Sequence, residues 1–586
     1  MDRPVVQEMA DTVMPVPLVI AVSGHRNLVA MEIPEIARLV REFLETIRAN
    51  SGETPIAVLT PLAEGAGQLV AKEAVRLGLQ LIVPLPMPQD LYRQSLATRA
   101  DREKFDRLVS QAEVFELPLV EGNTRESIAQ PGPARDKQYA QLGVYLSGHC
   151  HLLLAIWDGK DSNRLGGTAQ VVQYHHTDYM PGLTAGRSHA QHLIADYESD
   201  LVYQIVCSRD QADGAPSEGL RPLQSFYLTA DSGNLRTETL PHAYRLMFRR
   251  TCEFNRDALK YSDKIARHES TLLTEARTIW LPARLLKIAV LFRTADWLAR
   301  HFQVRVNSML RSSYTLAALM GLAFIAYADV NGLDYMINVF LILFAIGFVL
   351  YLIATKRDWQ RKYLDYRSLA EGLRVQFYWL VAGVTSQTAT EFAHDNFLQK
   401  QDVELGWIRN VMRAVIIGQQ QEEEQGTESG LEYAIAHWIG DSNKTNGEGQ
   451  IAYFGHHKEN RLLLHRITAT LGYVCLWTGI AVTLYLAIFH AWLSEGSRTT
   501  LLVLMGVLPL AAAVREAYAH KKADKELIKQ YRFMHRLFSN ARMQLEAART
   551  NSEKREVLRA LGDAALDEHA EWILMHRERP LEHGWL

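Results

Sequence analysis

Cysteine is scarce in this chain of 586 residues. Cys150, Cys207, Cys252 and Cys475 are far apart and form no C-x-x-C pair, which argues against a disulfide framework and a cysteine zinc site and fits a reducing compartment. An excess of either charge is also missing. The 63 Lys and Arg residues nearly balance 66 Asp and Glu, giving a net charge of -3 and no basic field for nucleic acid. The opening residues, with Asp2, Arg3, Glu8 and Asp11 before Val13, lack the apolar core of a signal peptide. What the chain has in quantity is apolar side chains. A 48% hydrophobic content beside 22% charged residues implies that the two are segregated along the sequence. The length calls for two or more domains, each with its own core.

The first 210 or so residues alternate apolar runs with helical periodicity. Pro17-Leu18-Val19-Ile20-Ala21-Val22 ends at Ser23-Gly24-His25-Arg26, and then Ile36, Leu39, Val40, Phe43, Leu44 and Ile47 recur at helical spacing. Ile56-Ala57-Val58-Leu59 repeats the unit, with a turn at Ala63-Glu64-Gly65 and a helix stopped at Gly78. Further strands are expected at 79–84, 114–117, 152–157 and 201–207. Strands apolar on both faces and alternating with helices predict a doubly wound parallel sheet of Rossmann-like α/β type. Ligands of such sheets sit beyond the carboxyl ends of the strands, where the strand order switches.

Three loops converge there. Gly166-Gly167-Thr168 follows an apolar strand and opens a helix, so its glycines admit an anion to the unpaired N–H groups and positive dipole end of the first turn. Ser23, Gly24, His25, Arg26 and Asn27 offer backbone donors, a hydroxyl and a guanidinium for phosphate, or else an ordinary tight turn. Glu64 beside Gly65 either accepts from ribose hydroxyls or caps its helix. Asp158-Gly159 is a strand-end turn that orders the glycine loop or touches the ligand.

These motifs, Ser23-Gly24-His25-Arg26, Leu62-Ala63-Glu64-Gly65-Ala66, and Leu154 to Gly159 with Gly166-Gly167-Thr168, resemble the three signature loops of the SLOG superfamily. That Rossmann-like group includes DprA, the LOG phosphoribohydrolases and the ligand-sensing N-terminal region of TRPM channels. The resemblance implies a pocket for a nucleotide or an NAD-derived signal such as an ADP-ribose species, lined by the loop residues above. LOG enzymes carry a glutamate shortly after their glycine-threonine motif, whereas this chain reads Ala169-Gln170-Val171-Val172. Binding without turnover is therefore expected, with no catalytic residue and no separate cofactor; Glu64 is the one substitute carboxylate, and a membrane-anchored NAD or nucleotide glycohydrolase or phosphoribohydrolase is the alternative.

The later chain holds four apolar segments, at 313–328, 335–354, 467–493 and 500–514, the last carrying Pro509, which is expected to kink it. Lys and Arg flank each pair on its outer sides, as at Lys356, Arg357, Lys458, Arg461, Arg515 and Lys521, while only Arg498 is basic in the short turns. The positive-inside rule then puts both termini and the middle segment in the cytoplasm, in a multi-pass protein of the cell's inner membrane. Gly472, Gly479, Thr478 and Thr483 suit helix association or face lipid. Each pair precedes a charged helical stretch. With Tyr366 to Arg374, Leu561-Gly562-Asp563 and Glu571-Trp572, this half resembles the SLATT group of two-span domains, which accompany SLOG domains in bacterial conflict systems as pore-forming effectors.

The expected division is a ligand-binding domain at 1–215, a helical linker at 216–295, a two-span unit with its cytoplasmic helix at 296–375, a helical insertion at 376–460, and a second two-span unit with a helical tail at 461–586. The expected function is a cytoplasmic sensor of a nucleotide second messenger or NAD-derived ligand that gates or assembles a membrane pore in anti-phage defence. Its partners would be the lipid bilayer, further copies of itself and a separate messenger-producing enzyme. His149-Cys150-His151 and His175-His176 resemble metal ligands, but adjacent residues of a strand face opposite sides, so His149 and His151 share a side without Cys150, and no metal is expected. Residues 419–425, with Glu422-Glu423-Glu424, read as a solvated helix end or linker.

Overall fold

A computed structural model describes residues 13–162, 164–184, 201–229, 236–270, 272, 283–384, 397, 405–418, 428–440 and 449–577. The stretch at 419–425 lies outside the described residues. The strands are β1 (Leu18–Gly24), β2 (Ile56–Leu59), β3 (Gln80–Leu85), β4 (Glu113–Glu116), β5 (Leu152–Trp157), β6 (Val202–Val206), β7 (Ser225–Leu228) and β8 (Arg236–Thr237). The helices used below are α1 (Ile33–Ser51), α2 (Ala66–Arg76), α3 (Gln89–Gln94), α4 (Arg99–Val109), α5 (Arg125–Ala129), α6 (Pro133–Gly148), α7 (Thr168–Thr177) and α8 (His242–Lys260). They continue with α9 (Ala283–Asp329), α10 (Met336–Arg357), α11 (Trp359–Ala382), α12 (Gly406–Val415), α13 (Gln450–Phe489), α14 (Glu495–Lys521), α15 (Asp524–Ala547) and α16 (Asn551–Arg577). The chain forms two units. The first comprises residues 1–297, 368–431 and 562–570, and the second comprises 298–367, 432–561 and 571–586.

The first unit is built on a sheet of eight strands in the order β4-β3-β2-β1-β5-β6-β7-β8. Its centre follows from the apolar runs: every residue of β5 is buried, as are Leu18 to Val22 of β1, because helices cover both faces of parallel strands. β1 pairs in parallel with β2 (Leu18 with Ile56) and with β5 (Ile20 with Leu152). The sheet is mixed rather than wholly parallel, since β7 and β8 run antiparallel at the β6 edge. Strands of four and two residues give too short a pattern to read in sequence. They fall in the segment expected as a helical linker, so the sheet continues past residue 215. Phe43 of α1 stacks on Tyr203 of β6 at 4.2 Å between ring centroids, and Tyr227 of β7 follows at 4.8 Å, so an aromatic row seals this edge.

Later helices complete this unit. Asn255 of α8 accepts from the Val16 N–H at 2.9 Å and donates to the Val16 carbonyl at 2.8 Å, acting as a strand mimic at the start of β1. Trp407 of α12 packs on Phe254 of α8 at 5.8 Å, and Gln376 of α11 donates to the Met412 carbonyl at 3.2 Å. Part of the segment expected as a separate insertion, up to residue 431, thus packs with the sheet unit. Gly562 belongs to it as well: a Cβ there would lie 2.3 Å from Trp379 Nε1.

The second unit carries the apolar segments. Four helices are long and apolar enough to cross a membrane, by length and composition: α9, α10, α13 and α14. The 22 residues of α10 span about 33 Å at 1.5 Å each, against a hydrocarbon core of about 30 Å. Leu341, Phe344, Phe348 and Leu352 of α10 and Leu471, Trp477 and Ile488 of α13 point outward and are exposed in the isolated chain. Water would not tolerate so large an apolar surface, whereas lipid would. Small residues set the helix contacts within the unit. Gly321 of α9 meets Leu510 of α14, Gly506 of α14 meets Ile325 of α9, and Gly479 of α13 meets Pro509 of α14. Pro509 lies inside a helix that continues on both sides of it, and its ring fills the space over Gly479.

Candidate ligand-binding site

β1 and β5 are neighbours, but the chain leaves β1 toward β2 and leaves β5 toward β6, so the order switches between them and their following loops part. Glycines let these loops close on one another. A Cβ on Gly24 would sit 2.5 Å from Ala66 Cβ and 2.9 Å from the Ile156 carbonyl oxygen. Gly65 adopts φ +75°, and a Cβ there would lie 2.3 Å from the Arg26 carbonyl oxygen. The Ala66 N–H donates to the His25 carbonyl at 3.1 Å, tying the first turn of α2 to the loop after β1.

Two helices start here without a side-chain cap. Gly65 caps α2 and Gly167 caps α7, and neither has an acidic residue in its first turn. In α2 the Ala66 and Gln68 N–H groups are already taken by the His25 and Ala63 carbonyls, whereas the first N–H groups of α7 lack acceptors and present the positive end of the dipole. Thr168 is the first residue of α7. The Gly166 N–H is taken by Gln170 Oε1 at 2.9 Å, so Gln170 braces the glycine turn. Gly166 itself packs on α6, where a Cβ would meet the Tyr139 backbone at 2.7 Å.

Side chains from four elements converge above this backbone. Arg26 lies over the Tyr139 ring at 5.1 Å and pairs with Glu64 at 3.3 Å. Burial works against the Arg26 charge, but the surrounding Tyr139, Tyr92 and Glu64 oxygens outweigh it, so its pKa is raised and it stays cationic. Glu64 Oε2 and the Tyr92 hydroxyl, the latter from α3 and wholly buried, have no hydrogen-bond partner. Burial, reinforced by the Tyr139 oxygen, pushes the Tyr92 phenol far above its ordinary range, so it remains a neutral donor. A donor and an acceptor without partners beside a guanidinium form an arrangement that a hydroxylated anion satisfies.

The β1–β5 side is held by His25, whose Nε2 lies 3.0 Å from Asp158 Oδ1. Burial raises the Asp158 pKa, but the His25 contact and the Lys160 N–H, 3.1 Å from Oδ1, outweigh it and hold the carboxyl below its ordinary value. Asp158 therefore both closes the strand-end turn and orients His25, while its Oδ2 is buried without a partner. Gly159 (φ +79°) faces Leu220 rather than the crevice, so its role is the turn. Asn27 Oδ1 accepts from Arg209 Nε at 3.4 Å, and Ser23 lies at the end of β1 opposite Ala155. Cys207 beside Asp158 has its thiol pushed up to about 12, chiefly by burial, and is no nucleophile at neutral pH.

The structure thus gathers the three predicted loops at one end of the sheet. Sequence reasoning missed Tyr92 and Tyr139, which come from helices with no motif of their own. Among the described residues no group of three or more His, Cys, Asp or Glu is placed to hold a metal ion. Comparisons of the chain with protein-family models, curated proteins and solved structures return no match.

Proposed function

We propose that the sheet unit is a SLOG-type receptor for a nucleotide-derived messenger and that its occupancy gates or assembles a pore formed by the apolar helices. The observation that carries this reading is the pairing of the open start of α7 with Arg26, Glu64 and Tyr92 at the strand switch. The α7 start and Arg26 suit phosphate, and the unpartnered Glu64 Oε2 and Tyr92 hydroxyl suit ribose hydroxyls, as in a cyclic nucleotide or an NAD or ADP-ribose derivative. Lys356, Arg357 and Lys521 at the helix ends support an orientation with both termini in the cytoplasm of a bacterial inner membrane. Further copies of the chain would supply the pore wall, a separate enzyme would make the messenger, and SLATT-like membrane disruption would serve anti-phage defence. A tenfold shift toward the active state needs about 1.4 kcal/mol of differential affinity, within reach of one charge-assisted phosphate contact.

A second reading, a membrane-anchored NAD or nucleotide glycohydrolase, is favoured by one observation: Glu64 carries a buried carboxylate oxygen without a partner. Incubating the purified protein with a nucleotide panel separates the two. Binding that leaves the nucleotide intact is the result expected for a receptor. Product formation abolished in Glu64→Gln overturns it in favour of the enzyme.

A further inference from the structure

On α1 and α4 the exposed charges pair within the helix: Arg38 sits between Glu35 and Glu42, and Arg99 pairs with Glu103 at 2.9 Å. The last two helices of the chain do the opposite and sort their charges by sign. Lys525, Lys529, Arg532 and Arg536 of α15 follow one another every three or four residues, so they form a single row, and all four are exposed. Glu553, Glu556, Asp567 and Glu571 of α16 are spaced close to whole helical turns, so they too share one face, and all four are exposed. One helix presents a basic row and the next an acidic one.

Among the described residues none of the four cations makes an ion pair or a side-chain hydrogen bond, and neither do Glu556, Asp567 and Glu571. Glu553 caps its own helix, accepting the Arg549 N–H at 2.7 Å. Like charges three or four residues apart repel, so each row weakens the helix that carries it and gains from a partner of opposite sign. The rows also match in extent. Each ends on an apolar side chain of the same face, Met543 at 59% exposed and Leu574 at 48%. From Lys525 to Met543 is about 27 Å, and from Glu553 to Leu574 about 32 Å, at 1.5 Å per residue. Since both rows are exposed, they do not cover one another within a single chain.

Anionic lipid is the other source of negative charge, and the course of α15 disfavours it. Asp524 lies 3.7 Å from Arg461 of α13, whereas Tyr531 and Phe538 pack on Phe454 at 5.9 and 5.8 Å, so α15 runs back along the part of α13 that precedes its apolar stretch. That stretch starts at Ile467, and α15 recedes from it. Arg536 is about 16 Å further along the helix than Lys525, twice the Debye length of about 8 Å, so a lipid surface reaches only the head of the row. We infer that the basic row of α15 docks on the acidic row of α16 in a second copy of this chain. Copies confined to one bilayer meet at high effective concentration, and because the two surfaces differ, the contact closes as a reciprocal pair or as a ring. This names the contact between copies that the pore reading requires and takes only the bilayer from that reading; association is measured with no messenger present, so each fails without the other.

The test is energy transfer between donor- and acceptor-labelled full-length chains reconstituted together into phosphatidylcholine liposomes. Wild type should show transfer that saturates with protein density, with an apparent affinity at least tenfold weaker in about 0.5 M than in about 0.1 M NaCl. Lys529→Glu combined with Arg532→Glu should lower that affinity at least tenfold, and so should Glu556→Lys combined with Glu571→Lys. Mixing the two double variants should restore transfer between them, because the intact acidic row of the first meets the intact basic row of the second; this recovery also shows that both variants are folded. No transfer in wild type, affinity unchanged in either double variant, or no recovery on mixing overturns the assignment. Transfer that appears only when phosphatidylglycerol is added overturns it too, in favour of lipid as the partner of the basic row.

Discussion

Acidification from pH 7 to pH 5.5 should destabilise the sheet unit strongly, and the sign follows from the buried histidines. His149, His151 and His175 are 0%, 2% and 2% exposed, and burial lowers each pKa from 6.5 to about 3. Between those values the unfolded chain binds protons that the folded chain refuses, so stability is intact above about pH 6.5 and falls as the pH drops toward 3. Each ring then costs about 1.2 kcal/mol between pH 7 and pH 5.5, and with His176, whose pKa burial also lowers to about 3, the four together cost about 5 kcal/mol. For a unit of this size that lowers Tm by about 6 °C. Asp158, with its depressed pKa, acts in the same direction but mainly below pH 4. Thermal unfolding of the full chain in detergent, followed by tryptophan fluorescence at the two pH values without added phosphate, measures the effect. His151→Asn, whose amide oxygen replaces Nδ1 as acceptor for Val19, should remove about one quarter of the pH slope. A Tm at pH 5.5 equal to or above that at pH 7, or a slope unchanged in the variant, would show that these rings are not buried neutral.

Three further outcomes follow from close packing. Gly65→Val combines a Cβ 2.3 Å from a carbonyl oxygen with φ +75°, and should cost about 3 kcal/mol and abolish nucleotide retention, as read by unfolding and by dialysis. Asn255→Leu strands the Val16 N–H and carbonyl and should cost about 2–4 kcal/mol in the same unfolding assay; a loss below 0.5 kcal/mol would mean that water replaces the side chain. Gly479→Leu, whose Cβ would begin 2.9 Å from the Pro509 ring, should lower the detergent melting temperature of the membrane unit at a cost of about 1–3 kcal/mol, whereas Gly496→Leu, in open space, should not.

Elements with a strong local period were legible in the sequence and those without one were not. β1 and β5 are apolar runs because both faces of a central parallel strand are covered, and α10 is an apolar run long enough to cross a membrane. β7 and β8 escaped notice because an edge strand of four or two residues has no period to detect, and the packing of α12 against α8 rests on Trp407 and Phe254, which are ordinary core residues in any reading. The candidate site divides in the same way. Its loop approaches are written in Gly24, Gly65 and Gly166, where only glycine fits. Tyr92 and Tyr139 join it through the fold alone.

If one polypeptide reads a phosphorylated messenger and acts on a bilayer, dye release from liposomes reconstituted with the full-length chain, run across cyclic nucleotides and NAD and ADP-ribose derivatives, shows it most directly. Release should be triggered by a nucleotide-derived compound and lost in Arg26→Gln, with the variant still inserted in the membrane. Liposomes that stay sealed with every compound, around a protein that retains none of them and leaves the bilayer without detergent, would contradict it.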